Sequence, residues 1–524
     1  CDRNHIFFDA KPPIVIKPGD SSSSWMVFFT SRKVAISLFL VAMIACALPP
    51  GAASPLRWLR GPGYPDPVTN TGGAAGAILS RVIQFDTSNP PGNERALAKH
   101  LVGILRGEGL EARVIETPSS SPEVKRAAAW ARYPGNGRRD PIVLLSHLDV
   151  VPADESQWVA GPFEGMIAGD TVVGRGALDA KGIAVVHLLA LVKLARLDVV
   201  LDRDVIFLSA PDEENGGREG ALYLTEKRSD LLQGAEFLLT EGGGIAPGEG
   251  EIPDLWGVTF TEKSPCWIEL IAKGAPGHGS RATADAAVPR LIAALDRIRR
   301  MESEIRVTPE AQQMFAALAP FAPPEDRAAF ADLEGALRTN TGFRERFLSE
   351  GRRSALVRNT VSITVLEGSP RTNVSPAEAR AHLDVRLLPG ERCADFTADL
   401  RPVIDDPQAT LEFLLSFEAG SSPIETVLFR AIEAVAARSD SPNAVVPRMI
   451  AGFTDAHYFR DLGIVAYGFV PRRLRSHETR GVHGPNERIS VENLELGVNT
   501  LVEILEQLSG DVVEHPPSRP RPRS

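Results

Sequence analysis

Five short segments, far apart in the chain, carry the residue types that bind divalent cations. His147, in Ser146-His147-Leu148-Asp149, closes the apolar run PIVLL. α/β proteins hold ligands at such a place, beyond the carboxyl ends of their strands. A neutral imidazole ligates zinc well, and Asp149 is placed to accept its other ring N–H and fix the tautomer. In Gly174-Arg175-Gly176-Ala177-Leu178-Asp179-Ala180-Lys181-Gly182, glycines allow the tight turns that present Asp179 just before a helix. Asp212-Glu213-Glu214 follows VIFLSA, and adjacent carboxylates repel one another unless a cation or a proton compensates. Glu241 follows the apolar run FLLT and precedes glycines, and His483 lies in VHGPNE before the last helix. Each segment alone has a plain structural reading: a satisfied polar pair, a helix N-cap, a solvated acidic turn. Together, His147, Asp179, Glu214, Glu241 and His483 suffice for two ions if one carboxylate bridges.

The elements that must position them follow from hydrophobic periodicity. Apolar residues three and four apart predict helices over 75–85, 93–109, 182–196 and 218–227. Short runs rich in Val, Ile, Leu and Phe predict strands over 111–116, 127–133, 141–146, 204–209 and 236–240. This alternation predicts an α/β layer with a largely parallel sheet. From about 259 the pattern changes, with strands over 266–274, 362–368, 378–387 and 409–414. Helices are predicted over 284–301 and 394–402, and 309–350 reads as helical. The α/β pattern resumes with a helix over 423–438, a strand over 464–469 and a helix over 491–508. The expected organisation is one α/β domain, 55–258 and 416–510, interrupted by an inserted α+β domain at 259–415. A disordered tail occupies 511–524.

Of the 524 residues, 43% are hydrophobic and 24% charged, a globular balance for more than one core. The net charge of −10, with only short scattered basic pairs, excludes a nucleic-acid surface. The four cysteines show no metal-type spacing, and a Cys266–Cys393 disulfide competes with two small buried hydrophobes. Residues 34–48, VAISLFLVAMIACAL, follow Arg32-Lys33 and precede small residues, as in a secretory signal. The run is short for a membrane span, which takes roughly 20 residues. Residues 1–54 are therefore expected to be a leader plus signal peptide or anchor. Met26 reads as a better start than Cys1, and Cys46 weakly resembles a lipoprotein site. Export to the periplasm or outside the cell follows, with an anchor through 34–48 as the alternative.

SHLDVVP, GRGALDAKG, PDEE, TEGGG and HGPNERIS, in this order, resemble the motifs of the co-catalytic zinc peptidases and aminoacylases. That family includes aminoacylase, glutamate carboxypeptidase and carboxypeptidase S. The resemblance is strongest to the carboxypeptidase S and N-acyl amino acid hydrolase branch, and it covers about residues 75–508. It implies a three-layer αβα zinc-peptidase domain interrupted by a smaller α+β lid that mediates homodimerisation. It implies two zinc ions, with cobalt or manganese as substitutes: one held by His147 and Glu241, the other by Glu214 and His483, with Asp179 bridging. Glu213 would be the general base, with Asp149 supporting His147. His278, in Gly277-His278-Gly279-Ser280, resembles the lid histidine. Asn373 and Arg386, in RTNVSPAEARAHLDVRLLPG, resemble the pair that grips a substrate carboxylate. The helical stretch near 309–350 departs from the short lids of the family.

The implied reaction is hydrolysis of an amide or peptide bond adjacent to a free carboxylate, by a carboxypeptidase or N-acyl amino acid hydrolase. Other readings stay open: a dipeptidase, a deacylase of the acetylornithine or succinyl-diaminopimelate type, or an inactive binding protein on the same fold. Read without the resemblance, Arg386 pairs with Asp384 or Glu378, Asn373 is a turn residue and His278 an exposed loop histidine. His187, His382 and His457 read as structural.

Overall fold

Helix α1 (Thr71–Ile83) starts at Asn70, whose side chain accepts the Gly73 N–H, and α2 (Arg95–Gly107) buries Leu97, Ala98, Leu101, Val102 and Leu105 on one face. The computed structural model describes residues 64–510 apart from 251, 282, 439–442 and 477. The expected leader, signal segment and tail lie outside the described residues. No helix among the described residues is long and apolar enough to cross a membrane.

Strands β1 (Glu111–Glu116) and β2 (Ala127–Tyr133) pair antiparallel. There follow β3 (Ile142–His147), α3 (Lys181–Arg196), β4 (Val205–Ala210), α4 (Ala221–Lys227), β5 (Phe237–Thr240) and β6 (Asp254–Glu262). β3 lies parallel to both β4 and β5. Every residue of β3 and β4 is buried, as in strands covered by helices on both faces.

The chain then leaves this sheet for a second one. β7 (Ser264–Lys273), α5 (Ala287–Arg300), short helices over 309–354, β8 (Thr360–Glu367), β9 (Glu378–Leu387), α6 (Cys393–Ile404) and β10 (Ala409–Ser416) follow in order. The four strands form an antiparallel sheet in the order β8-β9-β7-β10. β9 alternates strictly between half-buried and buried positions, and its buried face packs with α5 and α6. Cys266 of β7 and Cys393 of α6 are disulfide-bonded, so these cysteines are not independent buried hydrophobes.

The return segment supplies α7 (Val427–Arg438), β11 (Asn443–Ile450), α8 (Ala456–Arg460), β12 (Val465–Gly468) and α9 (Val491–Ser509). The large sheet runs β1-β2-β4-β3-β5-β12-β6-β11, with residues 244–246 as a ninth strand on β6. One apolar core lies under α1, α2, α3, α7 and α9, and the other under α4 and α8, which makes three αβα layers.

The sheet is mixed rather than largely parallel. β2 is antiparallel to β1 and β4, and β12 is antiparallel to β6. β6 also runs to Glu262, across the expected change of pattern at 259. β11 was not predicted, because Pro447 interrupts its apolar run. Among the described residues it pairs only with β6, at the sheet edge, where a proline is tolerated.

Candidate metal centre

Parallel neighbours β4, β3 and β5 end at the same rim of the sheet, and their C-terminal residues gather there. His147 is the last residue of β3, Glu213-Glu214 form the turn after β4, and Glu241 follows β5. Asp179 stands just before α3, and His483 lies in the loop before α9. These five make two groups sharing Asp179: His147, Asp179 and Glu241, then Asp179, Glu214 and His483. Within each group one ligand atom per residue lies within 4.8 Å of the others. His147 Nε2 is 2.9 Å from Asp179 Oδ1 and 3.6 Å from Glu241 Oε1. His483 Nε2 is 3.3 Å from Asp179 Oδ2 and 3.2 Å from Glu214 Oε2. Asp179 thus offers one oxygen to each group. Glu213 Oε2 is 4.0 Å from His147 Nε2.

Buried partners fix these side chains. His147 Nδ1 is 3.0 Å from the Asp149 carbonyl oxygen and 3.5 Å from its carboxylate. A proton on Nδ1 therefore leaves Nε2 free as a donor of electrons. The Asp149 carboxylate mainly accepts the backbone N–H groups of Glu213 and Glu214 and the Asn89 amide. It holds the acidic turn as much as the histidine. The buried Glu487 carboxylate accepts the backbone N–H groups of Gly176, Leu178 and Asp179 and a bond from Arg175. Asp212 and His483 have φ of 76° and 56°, left-handed values that a non-glycine residue adopts at a cost.

The cluster crowds carboxylates of like charge into a buried place. Burial, and after it the charge of Glu241, raises the Glu213 pKa well above the ordinary carboxylate value. Burial likewise raises Glu214, whose Oε1 is buried without a hydrogen-bond partner. Burial alone would lower the His147 pKa, but Glu241, Asp149 and Asp179 raise it well above the ordinary value. Hydrogen bonds to Asp179 and Glu214 push His483 up to about 10. Without compensation, a buried group of like charges must take up protons. Imidazole nitrogens and carboxylate oxygens at one rim, with one oxygen orphaned, fit divalent metal cations.

His278, Asn373 and Arg386 all stand on the inserted segment. His278 is exposed on a short strand paired with residues 374–375, and its ring is bonded to Ser280. The Gly279 N–H donates to the Asn373 carbonyl, so His278 and Asn373 neighbour each other. Among the described residues no hydrogen bond or ion pair joins either to the acidic cluster. Arg386 of β9 is held by both oxygens of Asp384, and its guanidinium lies over Phe453 at 4.8 Å and Trp267 at 5.6 Å. His187 and His457 are buried, the latter stacked on Phe417, and His382 lies 3.5 Å from Glu269.

Sequence reasoning missed three contributors. Glu487 stood inside HGPNE unassigned. Asp455 is buried with Oδ2 unpartnered, and burial, then Asp149, raises its pKa well above normal; only its place in Thr454-Asp455-Ala456 hinted at it. At Gly468 a Cβ would stand 2.1 Å from the Glu241 carbonyl oxygen, a close approach that no local pattern announces.

A three-layer αβα fold with such a cluster at the strand ends defines a hydrolytic metalloenzyme. The chain belongs to the peptidase family M20/M25/M40, whose model matches residues 143–507. It is similar to the N-fatty-acyl-amino acid synthase/hydrolase PM20D1 of Xenopus tropicalis, 28% identical over 72% of this chain and 74% of that protein. It is also similar to aminoacylase-1 of Sus scrofa, 27% identical over 82% of this chain and 94% of that one. Its fold is similar to the M20 family metallo-carboxypeptidase Sso-CP2 of Sulfolobus solfataricus, with a TM-score of 0.64 and 18% identity over 82% and 98% of the two chains.

Proposed function

We propose that the protein hydrolyses an amide bond adjacent to a free carboxylate, in an N-acyl amino acid or at a peptide C-terminus. The shared Asp179 between two ligand groups, with Glu213 beside them, carries this reading. His147 and Glu241 would hold one zinc ion, Glu214 and His483 the second, and Asp179 both. Two such cations supply a Lewis acid and lower the pKa of a water from 15.7 toward about 7.

The remaining chemistry belongs to the chain. Glu213 takes the proton of the attacking water and delivers it to the leaving nitrogen. Asp149 keeps Glu213 and Glu214 in place through their backbone N–H groups. Arg386 has Nη1 left over from its pair with Asp384, and with Asn373 it grips the substrate carboxylate. His278 donates a hydrogen bond to the developing oxyanion, an interaction worth about 10²–10³ in rate. Its exposed position requires closure of the inserted segment, or supply from the lid of a second copy. In this reading the inserted segment is the lid and the dimerisation surface, and residues 34–48 direct export or anchor the chain.

Metal analysis and a substrate panel test it. The expected protein carries two zinc ions and cleaves N-acyl amino acids. Cleavage confined to peptides with a free amino terminus would reject the substrate class, and activity untouched by chelators would reject the metal mechanism.

A further inference from the structure

The helical stretch 309–354 builds its own apolar core, and that core reaches the large sheet at Met449 of the edge strand β11. A cavity of about 430 Å³ lies there, and none of its lining residues belongs to the metal centre. Met314, Phe315, Leu318, Phe330 and Met449 give it apolar walls. Three arginines, Arg352, Arg353 and Arg448, also line it, and no carboxylate does. Arg353 is paired with Glu350 at 2.9 Å and lies over the Phe330 ring. Arg352 and Arg448 have no ion pair among the described residues. Both side chains are exposed, so they stand at the rim of the cavity and not inside its apolar part. Two guanidinium groups at the rim of an apolar cavity, with no carboxylate in its lining, offer a site for the head group of an amphiphilic anion.

We propose that this cavity binds a free medium- or long-chain fatty acid, with its tail against Phe315, Leu318 and Met449 and its carboxylate between Arg352 and Arg448. Guanidinium groups suit a carboxylate in geometry as well as charge. A small hydrophilic anion would leave the apolar walls wet, a neutral lipid would leave the arginines unpaired, and a cationic amphiphile would be repelled. The site goes beyond the proposed amide hydrolysis, because occupancy needs no turnover.

Calorimetric titration of the metal-loaded full chain with dodecanoate, below its micelle concentration, tests the proposal. One site is expected. An Arg352→Gln/Arg448→Gln double variant should bind about tenfold more weakly or worse, the loss of a charge-assisted pair. It should still hydrolyse a short-chain substrate at the wild-type rate. Leu318→Trp, which fills the cavity, should also lose binding; the arginine variant keeps the test open if that protein fails to fold. No binding by the wild type, undiminished binding by the arginine variant, or equal binding of dodecyltrimethylammonium would each overturn the site. Dodecanoate binding without any amidohydrolase activity would instead reject the proposed reaction and leave the cavity assignment standing.

Discussion

The Glu487 carboxylate accepts the Asp179 backbone N–H at 3.0 Å, although the two residues are 308 positions apart in the chain. The same carboxylate accepts from Leu178, Gly176 and Arg175, so the HGPNE loop clamps the turn that presents Asp179. Glu487→Gln places an amide N–H against some of these donors. A buried donor left unsatisfied costs about 1–3 kcal/mol. The expected variant has a lower Tm and weaker metal binding in chelator competition. Metal affinity equal to wild type would remove Glu487 from any role in placing Asp179.

Glu213→Ala should keep its metal and lose turnover by about 10²–10⁴, the usual share of a general base. Metal content and steady-state rate measured on the same preparation decide this. Near-wild-type kcat would take the proton-transfer role away from Glu213.

Gly468→Ala should displace Glu241, because the new methyl group collides with the Glu241 carbonyl. Overpacking of this kind costs about 1–3 kcal/mol. The expected result is a lower Tm and fewer than two ions per chain. Full metal occupancy with an unchanged Tm would show that the backbone there gives way freely.

Arg386→Ala should raise KM for carboxylate substrates by roughly tenfold or more, with a smaller effect on kcat, as for loss of a ground-state contact. Unchanged kinetics would reduce Arg386 to its pair with Asp384 and its packing on Phe453.

Burial, and after it the charge of Arg472, pushes the His187 pKa down to about 3. The unfolded chain, with a histidine near 6.5, therefore binds one more proton than the native chain between about pH 6.5 and 3. The stability contributed by neutral His187 is complete above about pH 6.5 and falls by up to about 1.4 kcal/mol per pH unit below it. His187→Leu should show a shallower loss of unfolding free energy over that window, measured by denaturant titration. An identical slope would mean that His187 already protonates in the native state.

Much of the framework was legible without coordinates. The buried strands ending at Ser146-His147, Ala210 and Thr240 announced themselves by composition, and the glycine-rich turn before α3 by its residues. These are local properties, since strand period and turn chemistry depend on residues within a few positions of each other. β11 escaped because Pro447 argues against a strand unless the strand is known to be an edge, and edges are a property of the assembled sheet.

Local chemistry also marked out His147, Asp179, Glu213, Glu214, Glu241 and His483 as candidates. Sheet order decided the rest, by setting β3 between β4 and β5 so that three strand ends share one rim. It brought Glu487 under the Asp179 turn and set the Asp149 carboxylate against the backbone N–H groups of Glu213 and Glu214. Spacing along a chain constrains only near neighbours. Contacts between residues hundreds apart depend on which strands pair and which faces pack, and that is a property of the whole fold.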